Sequence, residues 1–313
     1  MRILRSIPEL AQIPGPVFLA IGVFDGVHRG HQAVISTAAR HAAEAGGTAV
    51  VVTFDPHPAK FLRPQESPHL LTATQHKIEL IRALGVSHLL VLKFDRELAS
   101  TAPTDFVRQL VEAAKPLREI CVGQEWSFGK NRAGNLALLK ELGAQFGFNV
   151  VGVEPVKSEG TIVSSTAIRG AVEGGDFATA ARMLGRNYTI LGTVEEGKHL
   201  GRSLGFPTAN LSAHSEQFPP NGVYAAEGLL EGKTMRGVVN LGVRPTIESE
   251  VPQRVLEFHV FDLDQDLYGK EIELRFLQYL RPEQKFENLA ALREQIARDV
   301  RAAHEIFAAI PAN

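Results

Sequence analysis

Residues 21–31 read I-G-V-F-D-G-V-H-R-G-H, and this stretch decides how the chain around it folds. Before it lies a short apolar run, residues 17–20, of the kind that forms a buried strand. After it, residues 31–45 are Ala-rich and free of Pro, which reads as a helix. Gly22, Gly26 and Gly30 let the turn between them bend sharply and approach a ligand closely. The helix that follows directs unpaired N–H groups and a partial positive charge back at the turn. His28 and His31 stand at that same end. Strand, Gly-rich turn, paired imidazoles and helix start together describe a site for the phosphates of a nucleotide.

The His pair has two other readings. Two His three residues apart can ligate zinc, but further protein ligands are then required. Only Asp25 is local, and the single Cys121 is remote in sequence. A pair of core imidazoles is poorly placed among glycines at the carboxyl end of a strand. The stretch matches neither the dinucleotide fingerprint nor the Walker pattern. Taken whole, it resembles the H-x-G-H signature of the nucleotidyltransferase superfamily. The resemblance implies that His28 and His31 stabilise charge on the phosphates of a nucleoside triphosphate while a nucleophile attacks the α-phosphorus. It implies the reaction and leaves the acceptor open.

The 313 residues are enough for two domains with substantial cores. The formal net charge is −2 and no basic block or stripe occurs, so nucleic acid is not an expected partner. One Cys excludes an internal disulfide framework and suits a reducing compartment. Residues 1–10 are broken by Pro8 and Glu9 before any apolar region develops, which does not read as a secretory signal. No apolar run approaches the roughly 18 residues that read as a membrane span. A cytoplasmic protein without a membrane partner is expected, its oligomeric state left open.

Strand-like and helix-like segments then alternate. Strands are expected at residues 48–54, 88–93, 119–122 and 149–153, and helices at 72–84, 103–114 and 135–146. The helix at 72–84 opens on T-A-T-Q, a capping box, and closes on Gly85. This alternation argues a parallel sheet whose ligands collect at the carboxyl ends of its strands. Three loops at those ends carry chemistry. T-F-D-P-H-P, residues 53–58, is a rigid extended loop that either presents His57 to a substrate or merely ends the strand. G-Q-E-W-S-F-G, residues 123–129, holds Trp126 and Phe128, which either stack on a flat ring or fill the core. V-S-S-T-A-I-R, residues 163–169, sets Ser164, Ser165 and Thr166 at a helix start with Arg169 about one turn on. Those groups either cap the helix or clamp a polyphosphate.

In this order, the four motifs resemble the bacterial bifunctional riboflavin kinase/FAD synthetase family. The loop at residues 123–129 departs from the family's usual Asp or Asn followed by Phe, having Glu125 and Trp126. The resemblance implies that Gly22, Phe24, Asp25, Gly30, Ser164, Ser165, Thr166 and Arg169 bind the nucleotide. It places His57, Trp126 and Phe128 toward the flavin substrate.

A helix at residues 176–184 leads to Gly185, where the domain boundary is expected. Beyond it come β-like runs at 188–194, 222–230, 235–241, 255–263 and 271–277, with no helix before residue 288. An antiparallel barrel or sandwich is expected there. The last helix should cross it on a face of Leu289, Leu292, Ile296, Val300, Ala303 and Phe307. G-R-S-L-G-F-P-T-A-N, residues 201–210, supplies the neutral oxygen donors Thr208 and Asn210, although P-T-A-N by itself reads as a turn. Glu257, in the apolar L-E-F-H-V-F-D, either faces solvent by alternation or does chemistry.

With N-L-G-V-R-P-T at 240–246, D-L-Y-G-K at 266–270 and L-R-P-E-Q-K-F at 280–286, these motifs resemble the riboflavin kinase module of the same family. Ile247 stands where the family often has Phe. The resemblance implies that Thr208 and Asn210 hold Mg²⁺ and ATP phosphates, that Glu257 is the general base on the riboflavin 5′-hydroxyl, that Gly201 and Arg202 border the nucleotide, and that Arg281 binds substrate.

The expected architecture is a Rossmann-like parallel α/β nucleotidyltransferase domain over residues 1–185. An antiparallel β-barrel domain with a C-terminal helix follows over 186–313. ATP, riboflavin, FMN and FAD are the expected substrates and products. The alternatives are a nucleotidyltransferase for another phosphorylated acceptor and, for the barrel, a flavin-binding sensor without kinase activity.

Overall fold

Five apolar runs line up side by side in the amino-terminal half of this computed structural model. The structure describes residues 1–196, 205–214, 217–244, 253–263 and 265–309. The runs are β2 (Val17–Ile21), β3 (Thr48–Asp55), β4 (His88–Lys93), β5 (Leu117–Gly123) and β6 (Asn149–Val153). A short β1 (Arg2–Leu4) adds a sixth strand beside β4. The order is β1-β4-β3-β2-β5-β6, and every pairing is parallel.

Alternation along the strands divides the core in two. Ala20, Val51, Leu89, Val91 and Cys121 face α1 (Arg29–Glu44) through Val34, Ile35 and Ala38, and the helix around Ile78 and Ile81. Leu19, Ile21, Val50, Val52, Ile120 and Val122 point the other way, onto Phe106, Leu110, Leu139 and Leu142. The sheet is thus covered on both faces, as a parallel sheet requires. Chain progression runs from β2 to β4 in one direction and from β5 to β6 in the other. Its reversal falls between β2 and β5, where open α/β sheets bind ligands.

The remaining helices of this half are α2 (Pro58–Leu62), α3 (Thr74–Ala83), α4 (Arg96–Ser100), α5 (Pro103–Ala113) and α6 (Leu136–Phe146). A hairpin of β7 (Lys157–Ser158) and β8 (Thr161–Ile162) precedes α7 (Ser165–Glu173) and α8 (Phe177–Leu184). Helix α3 starts two residues later than its capping-box pattern suggests, at Thr74, whose hydroxyl bonds Asp55 Oδ1 at 2.6 Å.

The carboxyl-terminal half closes an antiparallel barrel in the order β10-β13-β12-β11-β14-β9. Its strands are β9 (Thr189–Glu195), β10 (Ala209–Ala213), β11 (Gly222–Leu230), β12 (Lys233–Arg244), β13 (Gln253–Val260) and β14 (Glu271–Arg281). Ile190, Tyr224, Val239, Leu241, Leu256, Phe258, Leu274 and Phe276 are buried in register and fill the interior. Helix α9 (Leu289–Ala309) covers the outside, Ala303 and Phe307 packing on Val223, Ala225 and Val238. Leu289, expected on that face, is 59% exposed, because the covered face of α9 begins further along the helix.

The chain forms two compact units. One comprises Met1–Leu70, Thr74–Ala167 and Met183–Gly185, and the other Leu71–Ala73, Ile168–Arg182 and Arg186–Asn313. Phe177 of α8 belongs to the second, stacked at 5.9 Å on Phe276 and edge-on to Tyr224 at 6.0 Å. No helix among the described residues is long and apolar enough to cross a membrane.

Candidate active sites

The turn after β2 is held in a backbone conformation that L-residues rarely adopt. Phe24 (φ 53°), Gly26 (φ 81°) and Val27 (φ 41°) all lie in the left-handed region. Strain at non-glycine positions costs about 1–3 kcal/mol each and persists only where the surroundings over-determine it. Here Phe24 and Val27 are each 1% exposed, and the Phe24 ring lies across Gly22. A Cβ at Gly22 would come within 2.7 Å of that ring, which is why position 22 is glycine. The same ring meets His31 edge-on at 5.3 Å.

His28 is the N-cap of α1, its Nδ1 accepting the His31 backbone N–H at 3.3 Å. An accepting Nδ1 puts the proton of the neutral ring on Nε2. The His28 and His31 rings stack at 3.5 Å with 19° between planes, and Gly30 gives the His28 ring its room. His31 is held well below its ordinary pKa, first by burial and then by the positive charges of His28 and Lys77. Its buried Nδ1 makes no hydrogen bond among the described residues. The pair therefore sets imidazole nitrogens at a helix N-terminus, which suits hydrogen bonding to phosphate oxygens.

The hydroxyl motif joins this turn. Ser165 Oγ donates to the Asp25 carbonyl at 3.0 Å, and Asp25 itself is 4% exposed. Ser164 caps α7, accepting the Ala167 N–H at 3.2 Å, while the Val163 carbonyl lies near Gly30. Two helix N-termini, those of α1 and α7, are thus brought to one place. Thr166 is exposed, and Arg169 follows in the part of α7 that belongs to the second unit.

The other loop residues divide. His57 caps α2, its Nδ1 accepting the Ala59 N–H at 3.1 Å. Phe128 is 7% exposed and packs with Phe106 in the core, the structural use that aromatics between glycines allow. Trp126 is half-buried and stacked on Phe128 at 4.5 Å, and Glu125 is exposed.

One neighbour of the His pair escaped sequence reading. Lys77 of α3 is 5% exposed, with Nζ 3.2 Å from both the Val23 and Phe54 carbonyls. Burial pushes its pKa down to about 8, against the stabilising charges of Asp25 and Asp55. Its only sequence signal is a Lys directly before the buried Ile78, on the side of the helix that packs inward.

In the barrel, register assembles the second constellation. Asn210 of β10 pairs with Glu257 of β13, and Glu257 pairs with Asn240 of β12. Leu256 and Phe258 are buried on either side of Glu257, so the carboxylate alternates to the outer face beside the two Asn positions. Asn240 lies in a quoted motif, yet only pairing shows it in this row. Thr208 is exposed and lines a cleft of about 490 Å³ with Pro207, Gln265 and Tyr268. The His259 ring holds this loop at the Pro207 carbonyl, 2.8 Å away. P-T-A-N, read alone as a turn, runs directly into strand β10. The amide oxygen of Asn210, opposite Glu257 in the register, and the hydroxyl of Thr208 two residues before it are hard, neutral donors of the kind that suits Mg²⁺ bound together with phosphates.

Arg281 is engaged within the fold. Its guanidinium grips Asp299 of α9 through three hydrogen bonds of 2.8–3.0 Å and also donates to the Pro282 carbonyl. Gly201, Arg202, Pro245 and Thr246 lie outside the described residues.

Comparison with known proteins agrees with both halves. A family model described as FAD synthetase matches residues 10–167, and one described as riboflavin kinase matches residues 184–307. Proteins named bifunctional riboflavin kinase/FMN adenylyltransferase are 36% identical in Escherichia coli (strain K12), covering 98% of each chain. Those of Pseudomonas fluorescens and Haemophilus influenzae are 36% and 34% identical over 98% of this chain. A solved structure from Streptococcus pneumoniae, described as a macrolide-efflux protein, superposes with a TM-score of 0.80 at 26% identity over 99% of each chain.

Proposed function

The chain belongs to the family of bifunctional riboflavin kinase/FMN adenylyltransferases, and on that premise we propose how its residues divide the work. It is a transferase that phosphorylates riboflavin to FMN with ATP and then adenylylates FMN to FAD, releasing pyrophosphate. We assign the adenylyl transfer to residues 1–185 and the kinase to residues 186–313.

In adenylyl transfer an FMN phosphate oxygen attacks the α-phosphorus of ATP, and the bond to the β-phosphate oxygen breaks. His28 and His31 hydrogen-bond the phosphate oxygens as charge moves onto the leaving pyrophosphate. Gly22, Phe24, Asp25 and Gly30 shape the turn that admits the triphosphate. Ser164, Ser165 and Thr166, with Arg169 one turn along α7, hold phosphates from the other helix start. His57 and Trp126 border the flavin. Phe128 acts behind Trp126, by supporting its ring. The observation that carries this assignment is the stacked His pair at the start of α1, joined to α7 by the bond from Ser165 to the Asp25 carbonyl.

In the kinase, Glu257 accepts the proton of the riboflavin 5′-hydroxyl as that oxygen attacks the γ-phosphorus of ATP. Thr208 and Asn210 would hold Mg²⁺, which supplies charge neutralisation on the phosphates when bound. We assign Gly201 and Arg202 to nucleotide binding, and Arg281 serves substrate binding through its hold on α9. We place the enzyme in the cytoplasm, with small molecules as its partners and neither membrane nor nucleic acid.

Incubation with riboflavin, ATP and Mg²⁺, followed by chromatographic separation of flavins, tests the reading. FMN should appear first and FAD after it. Formation of neither flavin refutes the assignment, and FMN without FAD refutes the first half.

A further inference from the structure

We propose that Lys77 is a positioning residue for adenylyl transfer: its ammonium ties the carboxyl ends of β2 and β3 together at the strained turn and offsets the carboxylates of Asp25 and Asp55 where phosphates bind. The proposal rests on the assignment of the His28–His31 site to that reaction.

Packing alone does not call for a charge at this position. The Val23 carbonyl already accepts the Thr53 hydroxyl at 2.9 Å, so Lys77 is a second donor to it. A buried ion costs several kcal/mol of desolvation, which a methionine of similar length would avoid. The ammonium must therefore be held there by its surroundings, and two carboxylates attract it, Asp25 in the turn and Asp55 at the end of β3. Left uncompensated, those carboxylates would repel an incoming triphosphate. The single positive charge of Lys77 offsets part of that repulsion.

The same charge acts on the His pair. The ionisable groups about Lys77 are Asp25, Asp55 and His31, with His28 stacked on His31 and buried His76 adjacent on α3. Burial first, and then the charges of His28 and Lys77, hold the His31 pKa well below its ordinary value, so Lys77 adds to what burial already does. Removal of the ammonium raises the His31 pKa. The acid limb of FAD formation then moves to higher pH.

The test compares the full-length wild type with Lys77→Met and Lys77→Arg, each supplied with FMN, ATP and Mg²⁺, across the acid and neutral range. Lys77→Met should lower kcat for FAD on the order of 10²-fold, the scale for a misplaced reacting geometry. It should change KM for ATP less and shift the acid limb upward, while Lys77→Arg recovers part of the rate. A folded Lys77→Met enzyme with wild-type kcat and an unmoved acid limb overturns the proposal. Should Lys77→Met not fold, Lys77→Gln, which keeps an N–H donor for the Val23 and Phe54 carbonyls and removes the charge, takes its place: a lowered kcat for FAD supports the proposal and a wild-type kcat overturns it. A wild type that forms no FAD would instead overturn the reading beneath it.

Discussion

Replacing His28 by Asn separates two jobs that one ring performs. As N-cap of α1, His28 accepts the His31 N–H at 3.3 Å, a long hydrogen bond. Asn is among the best N-cap residues, whereas Ala forfeits the cap at about 0.5–2 kcal/mol. Both variants lose the 3.5 Å ring stack with His31 and the imidazole that we assign to the phosphates. Loss of one preorganised charge-stabilising donor lowers kcat by about 10²–10³, or about 2.7–4 kcal/mol in the barrier. His28→Asn should therefore lose FAD formation on that scale and keep its thermal transition close to wild type. His28→Ala should lose the same activity and also stability. The assay is single-enzyme turnover of FMN with ATP, read as FAD by chromatography, beside a thermal melt. Riboflavin phosphorylation in the same sample reports the other module and should persist. A His28→Asn enzyme that makes FAD at the wild-type rate would refute the reasoning and leave His28 a cap. Equal loss of both activities would point to general damage.

Glu257→Gln should lower kinase turnover by about 10²–10⁴ while FAD formation from supplied FMN continues, and an unimpaired kinase would return Glu257 to the solvent-facing role that alternation permits. Asp299→Ala leaves the Arg281 guanidinium, 18% exposed, without its carboxylate and should destabilise the barrel unit by about 3–5 kcal/mol in chemical denaturation; a loss below ~1 kcal/mol would mean a solvated pair. A fragment beginning at Ile168 should be about 1–3 kcal/mol more stable than one beginning at Arg186, since it keeps Phe177 on Phe276 and Tyr224, and urea midpoints compare the two directly.

Much of the fold was legible because burial on both faces writes continuous apolar runs. The strands at 88–93 and 149–153 coincide with their patterns residue for residue. β1 was not legible, since three residues beginning with Arg2 carry no period, and only pairing with β4 makes them a strand. β10 was hidden for a related reason. Its A-N-L-S-A is small and polar, with a Pro just before it, and it becomes a strand by pairing with both β9 and β13. Phe128 illustrates the opposite difficulty. Glycines at 123 and 129 make its loop look open, yet the loop folds back and buries the ring against Phe106.

The candidate sites divide along the same physical line. His28 and His31 announce themselves because glycine and imidazole fall within one turn of chain at a helix start, and Ser164 and Ser165 because hydroxyls cluster at the start of another. Lys77 and Asn240 reach their sites by tertiary closure, one across a helix–sheet contact and the other across a barrel register. A lysine on an amphipathic helix ordinarily reads as solvated, and nothing within its own turn says otherwise. The distinction has a consequence for mutation. Changes at the locally written residues should strike turnover with little loss of fold, because Asn or Gln can keep the backbone contacts. Changes at Lys77 reach the same chemistry through the carbonyls of Val23 and Phe54, so turnover and the geometry of the turn should fail together.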